Sequence, residues 1–150
     1  MSTVGDELKL ASLVPKGAPD APKVFGVSLK DRSAILPAGR GADAAYWWDT
    51  KTGGFVTSTY YVSDAPEWMR FFNDRKLADA DAGASWTVLS APSRSLRQLP
   101  AERGAALYEA IYGSPYGNEL LVDFASELLR RERLGLSQAG LARALDISVR

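Results

Sequence analysis

The chain has 150 residues with 18 basic and 18 acidic side chains, and it contains no histidine and no cysteine. This length suits one ordinary domain with a buried core, and a net charge of zero gives no overall field to attract nucleic acid or an anionic membrane. Without histidine and cysteine the chain has no serine or cysteine triad, no thiolate nucleophile and no imidazole or thiolate metal ligand.

Helix and strand patterns are mixed in the first half of the chain. The predicted elements are a short helix over residues 5–11, a buried strand at Val24–Leu29, a loop at 37–41, and a hairpin of strands 44–49 and 55–62. The hairpin is predicted because two β-prone runs flank a five-residue turn that contains glycine. The strand at Val24–Leu29 is predicted from its continuous apolar run.

Helices dominate the predictions for the second half. The predicted elements are a helix capped by Asp64 and running through Leu77, a loop at 78–84, a short strand at Trp86–Leu89, a polar loop at 91–100, helices at Ala101–Tyr112 and Glu119–Leu134, and a last helix from Ser137 to Leu145. Leu120, Phe124, Leu128 and Leu129 are predicted to lie on one side of a helix with charges opposite, so the Glu119–Leu134 segment gives the strongest helical signal. The aromatic residues between positions 46 and 72 are predicted to form core rather than to stack a ligand.

Lys30 and Arg32 are the candidate binding residues. They follow a predicted strand end, which is where α/β proteins build sites. In an extended chain, side chains two apart point the same way, so the arginine fork and the lysine charge can hold one anion. The alternative is a pair of solvated surface charges. Asp79 and Asp81 predict a solvated loop, because nothing nearby completes the six to eight oxygen ligands of a calcium site.

Several segments, taken in order, resemble the interior of bacterial alkaline phosphatases of the type that shares its fold with type I phosphodiesterases and nucleotide pyrophosphatases. The matching segments are Ser2–Ala11, Lys23–Arg32, Ala34–Gly39, Ala42–Asp49, Phe55–Tyr61, Ser114–Asn118 and Asp123–Ala125. The resemblance implies an α/β chain, a partial three-layer α/β/α fold with an inserted β-hairpin and helices. Residues 1–135 are then an interior segment of the phosphatase domain, and residues 136–150 are a divergent tail.

The resemblance also implies roles for particular residues. In that family the lysine and arginine of the Ser-Leu-Lys-Asp-Arg element contact the oxygens of the transferred phosphoryl group, which assigns Lys30 and Arg32 as substrate ligands. Family members use a threonine or serine nucleophile and two zinc ions held by aspartate and histidine. No residue of this chain is assigned to the nucleophile or to the metal, and Arg40 stands where many members are expected to have histidine. We therefore expect the chain alone to be inactive, and the resemblance implies a periplasmic or secreted hydrolase.

The tail offers a different function. The segments Leu136–Gln138, Leu141–Ala142 and Ile147–Ser148 resemble the opening of a phage-repressor-type helix-turn-helix. The sequence ends where a recognition helix is expected, so no base-reading residues are predicted. A frame change or truncation after Gly135 is the other interpretation of the tail. A third function is a noncatalytic domain that binds phosphate esters through Lys30 and Arg32.

Overall fold

A three-stranded sheet and the helices around it form the centre of the protein. The computed structural model describes residues 2–12, 15, 21–88 and 90–134. The helices are α1 (Val4–Ala11), α2 (Asp31–Ala38), α3 (Glu67–Asp74), α4 (Ala105–Tyr112) and α5 (Pro115–Glu132), with a 3-10 helix at Leu77–Asp81. The strands are β1 (Phe25–Ser28), β2 (Ala44–Asp49), β3 (Gly54–Val56), β4 (Ser85–Val88) and β5 (Ala91–Gln98).

Strand β2 lies between β1 and β3 in the larger sheet. It pairs in parallel with β1, where Phe25 faces Ala44 and Ser28 faces Trp47, and antiparallel with β3 through the predicted hairpin. The crossover from β1 to β2 is helix α2, which contacts both strands. The parallel pairing brings the carboxyl ends of β1 and β2 to the same edge of the sheet.

The two faces of this sheet carry different side chains, as the two-residue period of a strand requires. Helix α2 packs on one face through small residues, and its Ala34 and Ala38 are buried. Gly26 of β1 comes so close to the helix that a Cβ there would overlap the carbonyl oxygen of Ala34. The opposite face carries Tyr46 and Trp48, which belong to the core formed with α3, α4 and α5. Helices thus cover both faces, and the α/β class expected from the sequence is confirmed.

Aromatic rings fill the core on that second face. The ring of Phe124 in α5 is fully buried. It stacks on Phe55 with centroids 3.9 Å apart and meets Tyr46 and Phe72 edge-on at 5.5 and 5.2 Å. The expectation that the aromatics form core therefore holds for most of them, whereas the exposed side chains of Tyr60 and Phe71 lie outside it.

The first helix is fixed to the end of α2 by its cap. Thr3 and Asp6 form a capping box, and Asp6 also accepts a hydrogen bond from the backbone N–H of Gly41 at 2.8 Å. The bonds from the Gly41 and Thr3 amides lower the pKa of Asp6. Lys9 adds an ion pair to Asp43 at 2.7 Å. These contacts hold the chain before β1 against the loop that leads into β2.

Several predicted elements were wrong or shifted. Residues 91–100 are not a polar loop: Ala91–Gln98 is strand β5, which pairs antiparallel with β4. The predicted loop at 37–41 begins too early, because Pro37 and Ala38 still belong to α2. Asp64 does not cap α3, whose N-cap is Pro66. Helix α5 begins earlier than predicted, since Pro115 occupies its first turn, where a missing N–H costs nothing.

The predicted helix from Ser137 and the whole tail 136–150 lie outside the described residues. Within the described part, no helix combines the length and the hydropathy needed to cross a membrane.

Burial gives Tyr46 a measurable effect on stability at alkaline pH. Burial, with a smaller contribution from the charge of Glu132, raises the pKa of Tyr46 from 10.0 to about 12. The unfolded phenol ionises near pH 10 while the folded one keeps its proton, so stability present below pH 10 is lost as pH rises towards 12. Between pH 8 and 11.5 this phenol should remove about 2 kcal/mol from the free energy of unfolding. Urea denaturation at both pH values should show a loss that is about 2 kcal/mol smaller in Tyr46→Phe than in the parent chain.

Tyr60→Phe is the matched control, because its side chain is 65% exposed. It should keep the pH dependence of the parent. An unchanged pH dependence in Tyr46→Phe would contradict the burial of this hydroxyl.

Candidate functional site

An open groove lies at the carboxyl edge of the parallel strands. Its volume is about 360 Å³, and its lining residues come from the ends of β1 and β2 and from α4: Leu29, Lys30, Asp31, Trp47, Trp48, Asp49, Thr50, Glu109 and Tyr112. The edge beyond the carboxyl ends of parallel strands is the usual place for a ligand in α/β proteins. Lys30, the candidate residue after β1, lines this groove, and its role in binding stays a prediction.

Lys30 and Arg32 flank the N-terminus of α2. Lys30 is the N-cap residue, with extended backbone angles and no capping bond from its side chain, and Arg32 is the second residue of the helix. The premise of an extended chain through both residues was therefore wrong, because the chain turns into α2 at Asp31. Both side chains are exposed, and they flank a helix end whose dipole favours an anion.

The groove contains Lys30 but not Arg32 among its lining residues. Arg32 lies beside the groove, one residue further into the helix, and its backbone N–H donates to the Asp31 carboxylate at 2.7 Å. No ion pair involves Lys30 or Arg32 among the ion pairs of the described residues. Neither cation is held by an ion pair there, and their joint contact with one anion stays a prediction.

Three carboxylates line the same groove as Lys30. Asp31 begins α2, Asp49 ends β2, and Glu109 projects from the exposed side of α4. Burial opposes ionisation of Asp49, but hydrogen bonds from the Thr52 hydroxyl and the Lys51 amide outweigh it and lower the pKa of Asp49. The Thr52 hydroxyl lies 2.7 Å from the carboxylate. With one lysine and three carboxylates, the groove is negative apart from its Lys30 rim.

Two partly exposed aromatic rings complete the groove. Trp47 and Tyr112 are half-buried, and Trp47 has no ring partner among the aromatic contacts of the described residues and is not part of the core. The neighbouring Trp48 is buried and donates its Nε1–H to the backbone carbonyl of Tyr108 at 3.2 Å. This bond anchors α4 against the end of β2, which brings Glu109 and Tyr112 to the groove.

Arg40, expected where family members have histidine, lies in a different groove. That second groove has a volume of about 580 Å³ and is lined by Thr3, Asp6, Ile35, Leu36, Gly39, Arg40, Ser58, Tyr60 and Tyr61. The hydroxyl of Tyr61 donates to the carbonyl of Gly39 at 3.3 Å. Lys30 precedes α2 and Arg40 follows it, so the two residues lie at opposite ends of the helix. Arg40 therefore does not join the candidate phosphate contacts.

Zinc does not fit the residues of this chain. The sequence has no histidine or cysteine, and the described residues contain no group of three acidic side chains arranged to hold a metal ion.

Asp79 accepts a hydrogen bond from the Tyr108 hydroxyl at 2.9 Å, and burial together with the charge of Glu119 raises the pKa of Asp81. Asp79 therefore serves the packing of α4.

Sequence reasoning missed Trp47, Asp49, Glu109 and Tyr112 as groove residues. One usable signal was the parallel pairing of β2 with β1, since the end of β2 must then lie beside Lys30. Nothing local marks Glu109 or Tyr112, because α4 reaches the groove through contacts across more than fifty residues of sequence.

Comparison with known proteins identifies relatives along almost the whole chain. A calcium-transporting ATPase from Myroides odoratus is 36% identical over 174 aligned positions, which include 99% of this chain and 30% of that protein. The alkaline phosphatase PhoV from Synechococcus elongatus is 31% identical, over 99% of this chain and 30% of PhoV. The alkaline phosphatase PafA from Elizabethkingia meningoseptica is 32% identical, over 90% of this chain and 28% of PafA. The chain thus spans about three tenths of the length of these relatives.

The structure agrees with these relationships. The crystal structure of PafA superposes with a TM-score of 0.68 and 29% identity, over 91% of this chain and 29% of PafA. A PafA variant with substituted threonine, asparagine, lysine and arginine gives a TM-score of 0.67. No family model matches the chain. The resemblance inferred from the sequence is confirmed.

Proposed function

We propose that this chain, which belongs to the alkaline phosphatase superfamily, is an interior segment of a phosphoric ester hydrolase in which Lys30 and Arg32 contact the transferred phosphoryl group. The observation that carries the proposal is the position of both cations at the N-terminus of α2, beside a groove at the carboxyl edge of the parallel strands. The substituted lysine and arginine of the PafA variant are also two positions apart.

The chemistry of these residues fits phosphoryl transfer. The transition state spreads negative charge over the nonbridging oxygens of the phosphoryl group, and cations fixed around those oxygens stabilise that charge. The arginine fork can donate two parallel hydrogen bonds, whereas lysine acts as a movable point charge. The positive end of the α2 dipole lies at the same place and favours an anion there.

The nucleophile and the two zinc ions belong to the rest of the proposed hydrolase. Metals held outside this chain would lower the pKa of the nucleophile and would stabilise the leaving oxygen. The residues of this chain hold the phosphoryl oxygens and orient the ester. Hydrolysis of phosphate monoesters and a periplasmic location are parts of the same proposal.

The names of the relatives indicate two classes of phosphoryl donor, phosphate esters and ATP. Two are named alkaline phosphatases and one a calcium-transporting ATPase, and both activities break a bond to a phosphoryl group. No relative named above is a DNA-binding protein, so the helix-turn-helix alternative has no support.

A chimera tests the proposal directly. The matching segment of Elizabethkingia PafA would be replaced by this chain, and hydrolysis of p-nitrophenyl phosphate, bis-p-nitrophenyl phosphate and ATP would be measured. Lys30→Ala and Arg32→Ala should each lower kcat/KM for the preferred substrate about 100-fold, the usual loss for one charge-stabilising donor. The isolated chain should show no turnover with any of the three.

Arg70→Ala is the matched control, because Arg70 is exposed on α3 and lines none of the grooves described above. It should leave kcat/KM unchanged. Full activity of the Lys30→Ala and Arg32→Ala chimeras, or metal-dependent turnover by the isolated chain, would contradict the proposal.

A further inference from the structure

The groove beside Lys30 is lined mainly by negative charges, which do not suit a phosphate ester whose leaving group is also negative. Asp31, Asp49 and Glu109 line it together with a single lysine. Glu109 is exposed and takes part in none of the ion pairs of the described residues. A phosphate on Lys30 and Arg32 would therefore have a negative groove next to it, which repels an anionic leaving group and attracts a positive one.

The aromatic rings of the groove point to the same chemistry. Trp47 is half-buried, has no ring partner among the described residues and lies outside the core, and Tyr112 offers a second partly exposed ring. The faces of tryptophan and tyrosine carry negative charge density and attract ammonium groups, above all quaternary ones. Aromatic faces combined with carboxylates form the usual binding site for such cations.

We infer that this groove binds the ammonium end of a phosphate ester of an amino alcohol, such as phosphocholine, while Lys30 and Arg32 hold the phosphate end. The inference rests on the proposed function, which supplies the phosphate end. It adds the class of leaving group: a cationic alcohol is preferred to a neutral one because the groove matches both charges of the zwitterion. Glu109 and Trp47 determine this specificity, and Lys30 holds the phosphate.

Binding of four probes to the 150-residue chain tests the inference. Calorimetric titrations would use phosphocholine, glycerol 1-phosphate, inorganic phosphate and choline. Phosphocholine should bind about tenfold more tightly than glycerol 1-phosphate, the gain expected from a cation–π contact and a solvent-exposed ion pair together. Glu109→Gln and Trp47→Leu should each reduce this ratio to about two or three without weakening the affinity for inorganic phosphate.

Two further variants make the test specific. Lys30→Met should weaken both esters by the same factor, because it acts on the shared phosphate. Glu102→Gln, at an exposed glutamate outside the groove, should change nothing. Glu109→Gln alters an exposed side chain, so its result stands even if Trp47→Leu fails to fold.

The outcomes separate this inference from the proposed function. Equal affinity for phosphocholine and glycerol 1-phosphate, with phosphate binding intact, overturns the inference and leaves the proposed function standing. Choline binding that is lost in Glu109→Gln, without any binding of phosphate, supports recognition of the cation and overturns the phosphate role of Lys30 and Arg32. Absence of binding by all four probes to the folded chain overturns both.

Discussion

Replacing Phe124 with alanine should lower the free energy of unfolding by about 3–5 kcal/mol, the usual cost of removing a large ring from a core. Phe124 is fully buried and contacts Tyr46, Phe55, Trp68 and Phe72. Its removal leaves a cavity between the sheet and α5 and also removes four ring contacts, each favourable beyond the buried area. Urea denaturation followed by tryptophan fluorescence would measure the loss.

Leu129→Ala provides the comparison on the same helix, because its side chain is 49% exposed. It should cost less than about 1 kcal/mol, since exposed positions contribute little to stability. A loss for Phe124→Ala no larger than that for Leu129→Ala would show that α5 does not pack on the sheet in this way.

Adding a single methyl group at Gly26 should be nearly as damaging. A Cβ at this position would overlap the carbonyl oxygen of Ala34 and lie 2.8 Å from the Cβ of Ala38. The obstacle is helix backbone, so α2 as a whole must move away from β1, at a cost of about 3 kcal/mol. Because Lys30 caps α2 and Arg32 lies in its first turn, Gly26→Ala should also weaken phosphate binding in the fraction that remains folded.

Gly113→Ala is the control for this substitution. A Cβ at Gly113 would meet nothing within 4 Å, so the variant should be as stable as the parent or gain up to about 1 kcal/mol through the lower entropy of its unfolded chain. Equal unfolding curves for Gly26→Ala and Gly113→Ala would contradict the close approach of α2 to β1.

The sequence predicted those elements whose hydrophobic pattern is local. The apolar run before Lys30 is strand β1, the aromatic runs about residues 50–54 form the β2–β3 hairpin, and the helical spacing of Leu120, Phe124 and Leu128 marks the buried face of α5. Each of these predictions rests on residues close together in the sequence: an apolar run, two β-prone runs about a turn, or an apolar helical spacing.

Elements without such a pattern were missed. All five side chains from Arg94 to Gln98 in β5 are exposed, so the strand shows no alternation and is held by backbone bonds to β4. Helix α2 begins without a side-chain cap, contains Pro37 near its end and is held by small residues against Gly26, a tertiary contact that no local signal predicts. This is why residues 30–32 were predicted as extended.

The sequence indicated only some of the residues of the candidate site. Lys30 and Arg32 were candidates from their position after a strand, where bare charges are more often solvated surface, and the family resemblance assigned them the phosphate contact. Glu109 and Tyr112 needed the structure, since α4 meets the end of β2 through the Trp48 bond to Tyr108. The charge of the groove, which decides the proposed leaving group, was therefore not predictable from the sequence.

The most direct test of the central claim is a titration of the ¹⁵N-labelled chain with inorganic phosphate, followed by NMR. Two charge-assisted contacts of about 1.5–3 kcal/mol each predict a dissociation constant of about 1 mM or somewhat tighter. We expect saturable shifts at the side chain of Arg32 and at the backbone amides of residues 31–33, and their loss in the double variant Lys30→Met and Arg32→Met. A folded chain whose spectrum is unchanged at phosphate concentrations far above this value, or shifts that persist in the double variant, would contradict it.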